Sequence, residues 1–407
     1  MANSEGESDL PGLQALDPTS PRYVIDLVDL IVNEARRAHA SDVHLLPMAD
    51  GLATRYRVDG VLQPAGRLPR ALAPNVVARL KVLADLMTYR TDVPQEGRVR
   101  GAPGDVEMRV STFPTLHGEK AVIRLFGGAG QYQQLDDLGL PAEIRRTLGQ
   151  LLGETTGAIL LAGPAGSGKT TTLYACLREQ MAASAGSRSL ATLEDPIEVA
   201  IPDVAQSQVN PVAGFDMASG LRSLMRQDPE IIAVGEIRDL PTAEVALQAA
   251  LTGHLVLCTF HAGSASGAFG RLADMGIEPY VLRNGIRAVV SQRLVRKLCR
   301  CARPVDDPTQ FLGLPVEHAR VAVGCRDCRL TGYHGRIVLA EVLVPDRHEV
   351  GRAILARADM DTLETLAVDA GMVGLARRAR NAVEEGLTDP AEVRRVLGIA
   401  RENAPRN

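Results

Sequence analysis

One glycine-rich segment carries the strongest chemical signal in the sequence. It fits the pattern G-x-x-x-x-G-K-[ST] and consists of Gly163, Pro164, Ala165, Gly166, Ser167, Gly168, Lys169 and Thr170, followed by Thr171. Glycines let backbone N–H groups close around phosphate oxygens, because no Cβ stands in the way. The lysine ammonium then reaches the β- and γ-phosphates, and the Thr170 hydroxyl can ligate Mg²⁺. We therefore predict a site for ATP and Mg²⁺, against the alternative of a fortuitous glycine-rich loop.

Two acidic segments can supply the carboxylates that ATP hydrolysis needs to hold Mg²⁺ and aim a water molecule. The apolar run that begins at Ile231 leads to Glu236, and the run that begins at Leu190 leads to Glu194. Either acid alone is more often a solvated loop residue. Both follow strand patterns of the sheet that carries the phosphate loop, and this shared position favours a catalytic role.

Two histidines bracket another apolar strand pattern, with His254 directly before it and His261 directly after it. A single histidine more often has a structural role. Because these two lie at opposite ends of one core strand, we predict that at least one of them senses the γ-phosphate through a hydrogen bond.

The late cysteines form two pairs, Cys299 with Cys301 and Cys325 with Cys328. Disulfides are unusual in a cytoplasmic protein, whereas four thiolates can close a tetrahedral structural Zn²⁺ site. The first pair has a one-residue spacer, which strains the usual zinc knuckle. The alternative is therefore a module that keeps its fold by packing alone.

The elements around these residues must bring them to one edge of a sheet. Beyond residue 136, helical patterns alternate with strand patterns headed by Ile159, Leu190, Glu230 and Leu255. That alternation predicts an α/β fold, with a largely parallel, doubly wound sheet and the phosphate loop at the carboxyl ends of its strands. Residues 21–126 mix amphipathic helices with short alternating strands, which predicts a separate α+β domain.

We divide the chain into six segments on this basis. They are a disordered tail at 1–20, the α+β domain at 21–126, a glycine-rich linker or hinge at 127–136, the nucleotide-binding core at 137–298, a tetracysteine module at 299–345 and a helical segment at 346–407. In the last helix, we predict that Asp389 caps the N-terminus, that Pro390 takes the first helical position and that Glu392 closes a capping box.

Composition limits the classes of function. The 407 residues are 45% hydrophobic and 23% charged, as in an ordinary globular chain. A net charge of −4 argues against a protein that coats nucleic acid, and the absence of Trp argues against base-stacking platforms. The acidic N-terminus lacks the apolar core of a signal peptide, and no window reaches the ~18 apolar residues of a membrane span. We expect a cytoplasmic protein without a direct nucleic-acid partner.

Four ordered boxes make the sequence similar to the secretion ATPases, most closely to the type II secretion and type IV pilus assembly or DNA-uptake motors. The Walker A, Asp, Walker B and His boxes correspond to residues 163–170, 192–198, 226–239 and 252–261. The upstream segments 41–44, 94–98, 109–112 and 117–120 resemble the second N-terminal domain of that family. The resemblance runs from about Tyr23 to Leu397.

The resemblance implies a RecA-like P-loop ATPase domain preceded by a PAS-like α+β domain, in a homohexameric ring where ATP turnover rotates the N-terminal domain against the core. Arg98, Arg109 and Arg124 would approach the γ-phosphate, and the alternative for each is a surface ion pair. Because the family leaves the roles of the acids open, we assign Glu236 to Mg²⁺ or water positioning and Glu194 as the candidate base.

The expected function is Mg²⁺-dependent ATP hydrolysis that drives assembly of a type IV pilus or a type II secretion pseudopilus. Its partner would be an inner-membrane platform or a cytoplasmic docking protein at the inner face of the membrane. Because only a short segment precedes the first predicted helix, we expect this chain to lack the further N-terminal domain that many members carry. One alternative is a pilus retraction or DNA-uptake motor, although retraction motors lack the cysteine module. An alternative of another class is a nucleotide-gated scaffold that does not hydrolyse ATP.

Overall fold

A computed structural model describes residue 10 and residues 12–99, 108–125, 132–345 and 348–398. The chain forms two compact units, residues 1–130 and residues 131–407. Half of the predicted tail, residues 1–9 and 11, and the glycine-rich part of the predicted linker lie outside the described residues. The finer division into segments stays a prediction.

The first unit is built on an antiparallel sheet of six strands in the order β3-β2-β1-β6-β5-β4. The strands are β1 (Ala40–Pro47), β2 (Leu52–Val58), β3 (Val61–Leu68), β4 (Gln95–Val99), β5 (Met108–Thr115) and β6 (Gly118–Leu125). Two helices pack on this sheet through one shared apolar core, and they are α1 (Tyr23–Arg37) and α2 (Ala73–Leu83).

Local sequence explains both the helix α1 and the first hairpin. The apolar residues of α1 recur at helical spacing, so that Leu27, Ile31 and Ala35 all face the core. Between β2 and β3, Asp59 and Gly60 both have positive φ, of 48° and 81°. An Asp-Gly pair in this conformation makes the two-residue turn whose twist matches a hairpin.

The second unit contains a sheet of seven strands in the order β15-β12-β7-β11-β10-β8-β9. Strand β15 is antiparallel to its neighbour, and the other six strands run parallel. The strands are β7 (Gly157–Ala162), β8 (Leu190–Glu194), β9 (Ala205–Gln208), β10 (Ile231–Ile237), β11 (Leu255–Phe260), β12 (Ile286–Leu298) and β15 (Tyr333–Leu343). A separate two-stranded sheet pairs β13 (Arg303–Val305) with β14 (Ala319–Val321).

Helices cover both faces of the seven-stranded sheet. They are α3 (Ala142–Leu152), α4 (Lys169–Ser184), α5 (Met217–Leu224), α6 (Leu240–Leu251), α7 (Ala265–Asp274), α8 (Pro279–Gly285), α9 (His348–Leu355), α10 (Met360–Asp369), α11 (Leu375–Glu384) and α12 (Pro390–Leu397). Every residue of β7 is buried, with Leu160 in the core on one face and Ile159 in the core on the other. A parallel sheet buried on both faces confirms the predicted α/β fold.

The start of α12 corrects one prediction. Asp389 caps the helix as predicted, because its side chain accepts a hydrogen bond from the Glu392 N–H at 2.8 Å. The predicted capping box is wrong, since the Glu392 carboxylate accepts from Arg296 and Arg395 instead. A buried carboxylate gains more from charged guanidinium donors than from a neutral backbone N–H.

Among the described residues, no helix is both long enough and apolar enough to cross a membrane.

Candidate functional site

The phosphate loop connects the end of β7 to the start of α4. Gly163, Gly166 and Gly168 have φ values of 150°, 75° and 91°, which L-residues rarely adopt. A Cβ on Gly163 would lie 2.4 Å from Ser167 Oγ and 2.7 Å from the Gln292 carbonyl oxygen. The first glycine is therefore required by close packing as well as by backbone conformation.

Lys169 points into the loop that precedes it. Its ammonium is buried and donates hydrogen bonds to the carbonyl oxygens of Gly163 and Pro164, at 2.8 and 2.9 Å. Burial lowers the pKa of Lys169, whereas the nearby carboxylate of Glu236 acts to raise it. Thr170 and Thr171 follow in the first turn of α4. The loop thus gathers a cation, a hydroxyl group and a helix N-terminus, as phosphate and Mg²⁺ binding requires.

Gln292 braces the loop from β12 and was missed in the sequence analysis. Its side-chain amide donates to the Ser167 carbonyl oxygen at 2.8 Å, and its side-chain oxygen accepts from the Thr172 hydroxyl at 3.1 Å. The parallel pairing of β12 with β7 brings this residue beside the loop. The available signal was the run of polar residues Ser291, Gln292 and Arg293 between apolar residues of one strand, because buried polar side chains need partners.

Glu236 and His261 meet at the same sheet edge. Strands β10 and β11 run parallel to β7, so Glu236 at the end of β10 and His261 directly after β11 emerge beside the phosphate loop. Glu236 Oε1 lies 2.5 Å from His261 Nε2, and its other oxygen contacts Arg238. Burial and the charge of Lys169 lower the pKa of His261. A neutral imidazole therefore holds the carboxylate at neutral pH.

His254 lies at the opposite end of β11. Its Nδ1 is 3.2 Å from the carbonyl oxygen of Ala249, which lies in the last turn of α6. The structure therefore separates the two predicted histidines by the length of the strand. It brings only His261 to the edge that carries the phosphate loop.

Glu194 sits in a network of buried donors. The side chain is only 3% exposed, and one oxygen accepts from the Tyr174 hydroxyl. The other oxygen accepts from the Thr192 hydroxyl at 2.6 Å and from the Gln206 amide at 3.1 Å. Burial and the hydrogen bond to Glu194 raise the pKa of Tyr174. Both carboxylate oxygens of Glu194 are thus already engaged, and they link β8 to α4 and β9.

The three predicted arginines form a row in the first unit. Strand register places Arg98 opposite Arg109, and Arg109 opposite Arg124. Arg109 Nε lies 2.6 Å from a carboxylate oxygen of Glu96, and Arg124 Nε donates to Asp42 at 3.1 Å. We call Arg98, Arg109 and Arg124 the arginine row. Arg109 and Arg124 each have a carboxylate partner from the same sheet.

The four late cysteines converge to form a candidate metal centre. All four Sγ atoms lie within 4.8 Å of one another, and three of the separations are 3.7, 3.8 and 3.9 Å. Zinc bound tetrahedrally at about 2.3 Å from each sulfur sets its sulfurs about 3.8 Å apart. Burial acts to raise the pKa of Cys328, but backbone N–H donors from Cys325 and Gly332 lower it to about 6. The sulfur set therefore fits zinc despite the short first spacer.

Comparisons with known proteins find relatives in secretion and pilus systems. The family described as "Type II/IV secretion system protein" matches residues 18–395. The type II secretion system protein E of Aeromonas hydrophila is 40% identical over 397 residues, which cover 95% of this chain and 78% of that protein. The type IV pilus assembly ATPase PilB of Thermus thermophilus is 37% identical over 404 residues, which cover 97% of this chain and 45% of that protein.

Two solved structures share the fold. The Legionella pneumophila ATPase DotB has a TM-score of 0.67 at 21% identity, and the match covers 95% of this chain and 98% of that chain. The pilus retraction motor PilT with bound ADP has a TM-score of 0.60 at 24% identity, covering 92% of this chain and 96% of that one. At these identities the similarity establishes the architecture and nothing finer.

Proposed function

The chain belongs to the type II/IV secretion system protein family, and we propose that it is a Mg²⁺-dependent ATP hydrolase acting as a homohexameric motor. Its task would be to drive assembly of a type IV pilus or a type II secretion pseudopilus. The observation that carries the proposal is the meeting of Lys169, Glu236 and His261 at one sheet edge, around a phosphate-binding loop.

Each residue of the loop edge has a proposed role. Backbone N–H groups of Gly163 to Thr171 bind the phosphates, and Lys169 neutralises their charge. Mg²⁺, when bound, would neutralise further phosphate charge, with Thr170 and Glu236 as the residues that hold it. His261 fixes the orientation of Glu236 through the 2.5 Å contact.

The two acids receive different roles from their surroundings. Glu236 faces the phosphate loop and is 18% exposed, so we propose that it aims the attacking water. Glu194 stays the candidate base from sequence, but its oxygens accept three hydrogen bonds from buried donors. Those bonds hold the carboxylate in one orientation. Arg109 and Arg124 would deliver positive charge to the terminal phosphate, which is worth about 10³- to 10⁵-fold in rate for such arginines.

We also propose that Cys299, Cys301, Cys325 and Cys328 hold a structural Zn²⁺. The metal would cross-link the turn after β12 to the segment before β15, and so stabilise the module. Elemental analysis of purified protein should give about one zinc per chain, and the Cys328→Ser variant should lose it. A buried cysteine outside the cluster provides the control, because Cys176→Ala should keep the metal.

The proposed location is the cytoplasmic side of the inner membrane, reached through an inner-membrane platform or a docking protein. Similarity to the type II secretion proteins and to the pilus assembly ATPase supports this choice. The four-cysteine cluster favours an assembly motor over a pilus retraction motor, because the family resemblance gives such a module to the assembly branch and not to retraction motors. A nucleotide-gated scaffold would not need Glu236 and His261 held beside the phosphate loop.

The first experiment compares Mg²⁺-dependent ATP turnover of the wild type with Glu236→Gln, with oligomeric mass recorded alongside. We expect hexameric mass for both proteins and loss of most turnover in the variant. Glu244→Gln on the exposed face of α6 is the matched control and should keep full turnover. Equal turnover in all three proteins would refute the role of Glu236. ATP binding without turnover in the wild type, even with membrane partners added, would favour the scaffold.

A further inference from the structure

Arg293 is a buried cation on β12 that the proposed mechanism does not use. It is 8% exposed, and its two terminal nitrogens donate to carbonyl oxygens of Gln292 and Gly263, at 3.0 and 2.5 Å. Among the residues that the structure describes, no carboxylate oxygen lies within 4.0 Å of the guanidinium. The acceptors of its two terminal nitrogens are therefore backbone carbonyl oxygens and not a carboxylate.

The guanidinium of Arg293 cannot become neutral by losing its proton, because the pKa of an arginine side chain is too high. Burial lowers the pKa of Arg293, and Glu341 is the acid whose charge opposes that shift. The Glu341 carboxylate, however, is itself buried and accepts from the N–H groups of Ala265 and Leu375, at 2.8 and 2.9 Å. An uncompensated buried charge is costly, so an anion nearby would be stabilised by it.

The position of Arg293 identifies where that anion would lie. The Gln292 carbonyl oxygen that accepts from Arg293 is the atom that a Cβ on Gly163 would approach to 2.7 Å. Lys169 donates to the carbonyl oxygen of the same glycine. The charge of Arg293 also contributes to the lowered pKa of Lys169. Two cations thus lie around the first residue of the phosphate loop, and one phosphate-bearing ligand would compensate both.

The second hydrogen bond of Arg293 reaches the other side of the same site. Its acceptor, Gly263, lies two residues beyond His261, which contacts Glu236. Arg293 therefore connects β12 to the segment after β11, whose His261 contacts Glu236. The loop backbone and Lys169 suffice to bind a diphosphate, whereas a second cation adds most where a third phosphate brings extra negative charge.

We propose that Arg293 is a second cation of the phosphate site and distinguishes nucleoside triphosphates from diphosphates. This inference rests on the proposed function, because it requires the loop at Gly163 to Thr170 to bind nucleotide. It assigns a role to a residue outside the four sequence boxes.

The test measures the affinities of the full chain, with Mg²⁺, for ADP and for a non-hydrolysable ATP analogue. Arg293→Gln removes the charge but keeps an amide donor, and we expect about tenfold weaker binding of the triphosphate analogue, with ADP affinity changed less than about twofold. Arg293→Lys keeps the charge and should retain most of the preference. Arg287→Gln is the matched control on the same strand, since Arg287 also donates to a carbonyl oxygen, that of Thr156, at the far end of the sheet.

The outcomes separate this inference from the proposed function. Equal loss of both nucleotides in Arg293→Gln and Arg293→Lys would show a merely structural role and overturn the inference. An unchanged preference in a folded Arg293→Gln protein would overturn it as well. Lys169→Ala tests the site itself, because wild-type affinities in that variant would refute nucleotide binding at this loop. If Lys169→Ala loses binding while the Arg293 variants keep the preference, only the inference about Arg293 fails.

Discussion

Several side chains at the phosphate loop donate hydrogen bonds to backbone carbonyl oxygens, in addition to any charge that they carry. Lys169, Gln292 and Arg293 all donate to backbone carbonyls of the loop or of its neighbours. Such bonds fix the backbone, because each buried carbonyl that loses its donor carries a desolvation cost. The shape of the loop therefore depends on residues far from the glycine-rich pattern.

Gln292→Leu tests this dependence at the residue scale. The variant leaves the Ser167 carbonyl and the Thr172 hydroxyl without their partner, so we expect stability to fall by about 1 to 3 kcal/mol. Nucleotide affinity should fall as well, because the loop is less well fixed. Thermal unfolding and nucleotide titration measure the two effects. Gln248→Leu on an exposed position of α6 is the control, and equal effects in both variants would contradict the bracing role.

At the scale of elements, β12 and α12 are joined by one buried carboxylate. Glu392 accepts from the Arg296 N–H at 2.9 Å and from its guanidinium at 2.8 and 3.0 Å. The Arg296 guanidinium also stacks on the Tyr333 ring, 3.7 Å from its centroid. Since Tyr333 donates to Asp389, the helix is held at both its cap and its first turn. These contacts attach the C-terminal helices to the sheet.

Glu392→Gln should weaken this attachment in a pH-dependent manner. Burial alone would raise the pKa of Glu392, but hydrogen bonds from Arg395 and Arg296 outweigh it and hold the pKa at about 2. The stabilisation is therefore present above the ordinary pKa near 4.5 and is lost as pH falls towards 2, with a full value of about 3 kcal/mol. Denaturant unfolding should show that Glu392→Gln is less stable than the wild type at pH 7, and that this difference is smaller at pH 3. The exposed Glu385→Gln variant should be as stable as the wild type at both pH values. A loss of stability in Glu392→Gln that does not depend on pH would contradict stabilisation by the ionised carboxylate.

The sequence was sufficient for features that depend on local pattern. The phosphate loop, the alternation of strands and helices and the cap at Asp389 each follow from residues close together in the chain. Gln292 and Arg293 could not be found this way, because β12 pairs with β7 only in the folded sheet. The capping box at Glu392 failed for the same reason, since Arg296 lies 96 residues away. Distant partners override local rules where a buried charge must be compensated.

At the scale of the whole molecule, the first unit contributes an ordered row of arginines and the second contributes the phosphate loop. The family resemblance implied Arg98, Arg109 and Arg124 as cations of the site, but only the register of β5 with β6 places Arg109 opposite Arg124. Their ion pairs with Glu96 and Asp42 fix these side chains within the first unit. The proposed function requires that turnover in one unit depends on charge in the other.

Arg124→Ala tests that dependence. We expect ATP turnover to fall by about 10³-fold, because a cation that stabilises charge on the transferred phosphoryl group is lost. ADP affinity should stay near that of the wild type, since ADP lacks that group. Steady-state turnover and ADP titration measure both. Arg67→Ala, which breaks an ion pair with Asp50 elsewhere in the same sheet, is the control. Equal turnover in wild type and Arg124→Ala would remove this arginine from the mechanism.

Strand β12 has a consequence for how this protein can evolve. Along its 13 residues it carries Arg287, Gln292, Arg293 and Arg296, and Cys299 follows directly after it. Side chains alternate between the faces of a sheet, so an insertion or deletion of one residue within the strand would turn every later side chain to the wrong face. We therefore expect related chains to differ in residue type along β12 more than in its length. Length variation should instead collect in surface connections such as residues 185–189, between α4 and β8, where every residue is at least partly exposed.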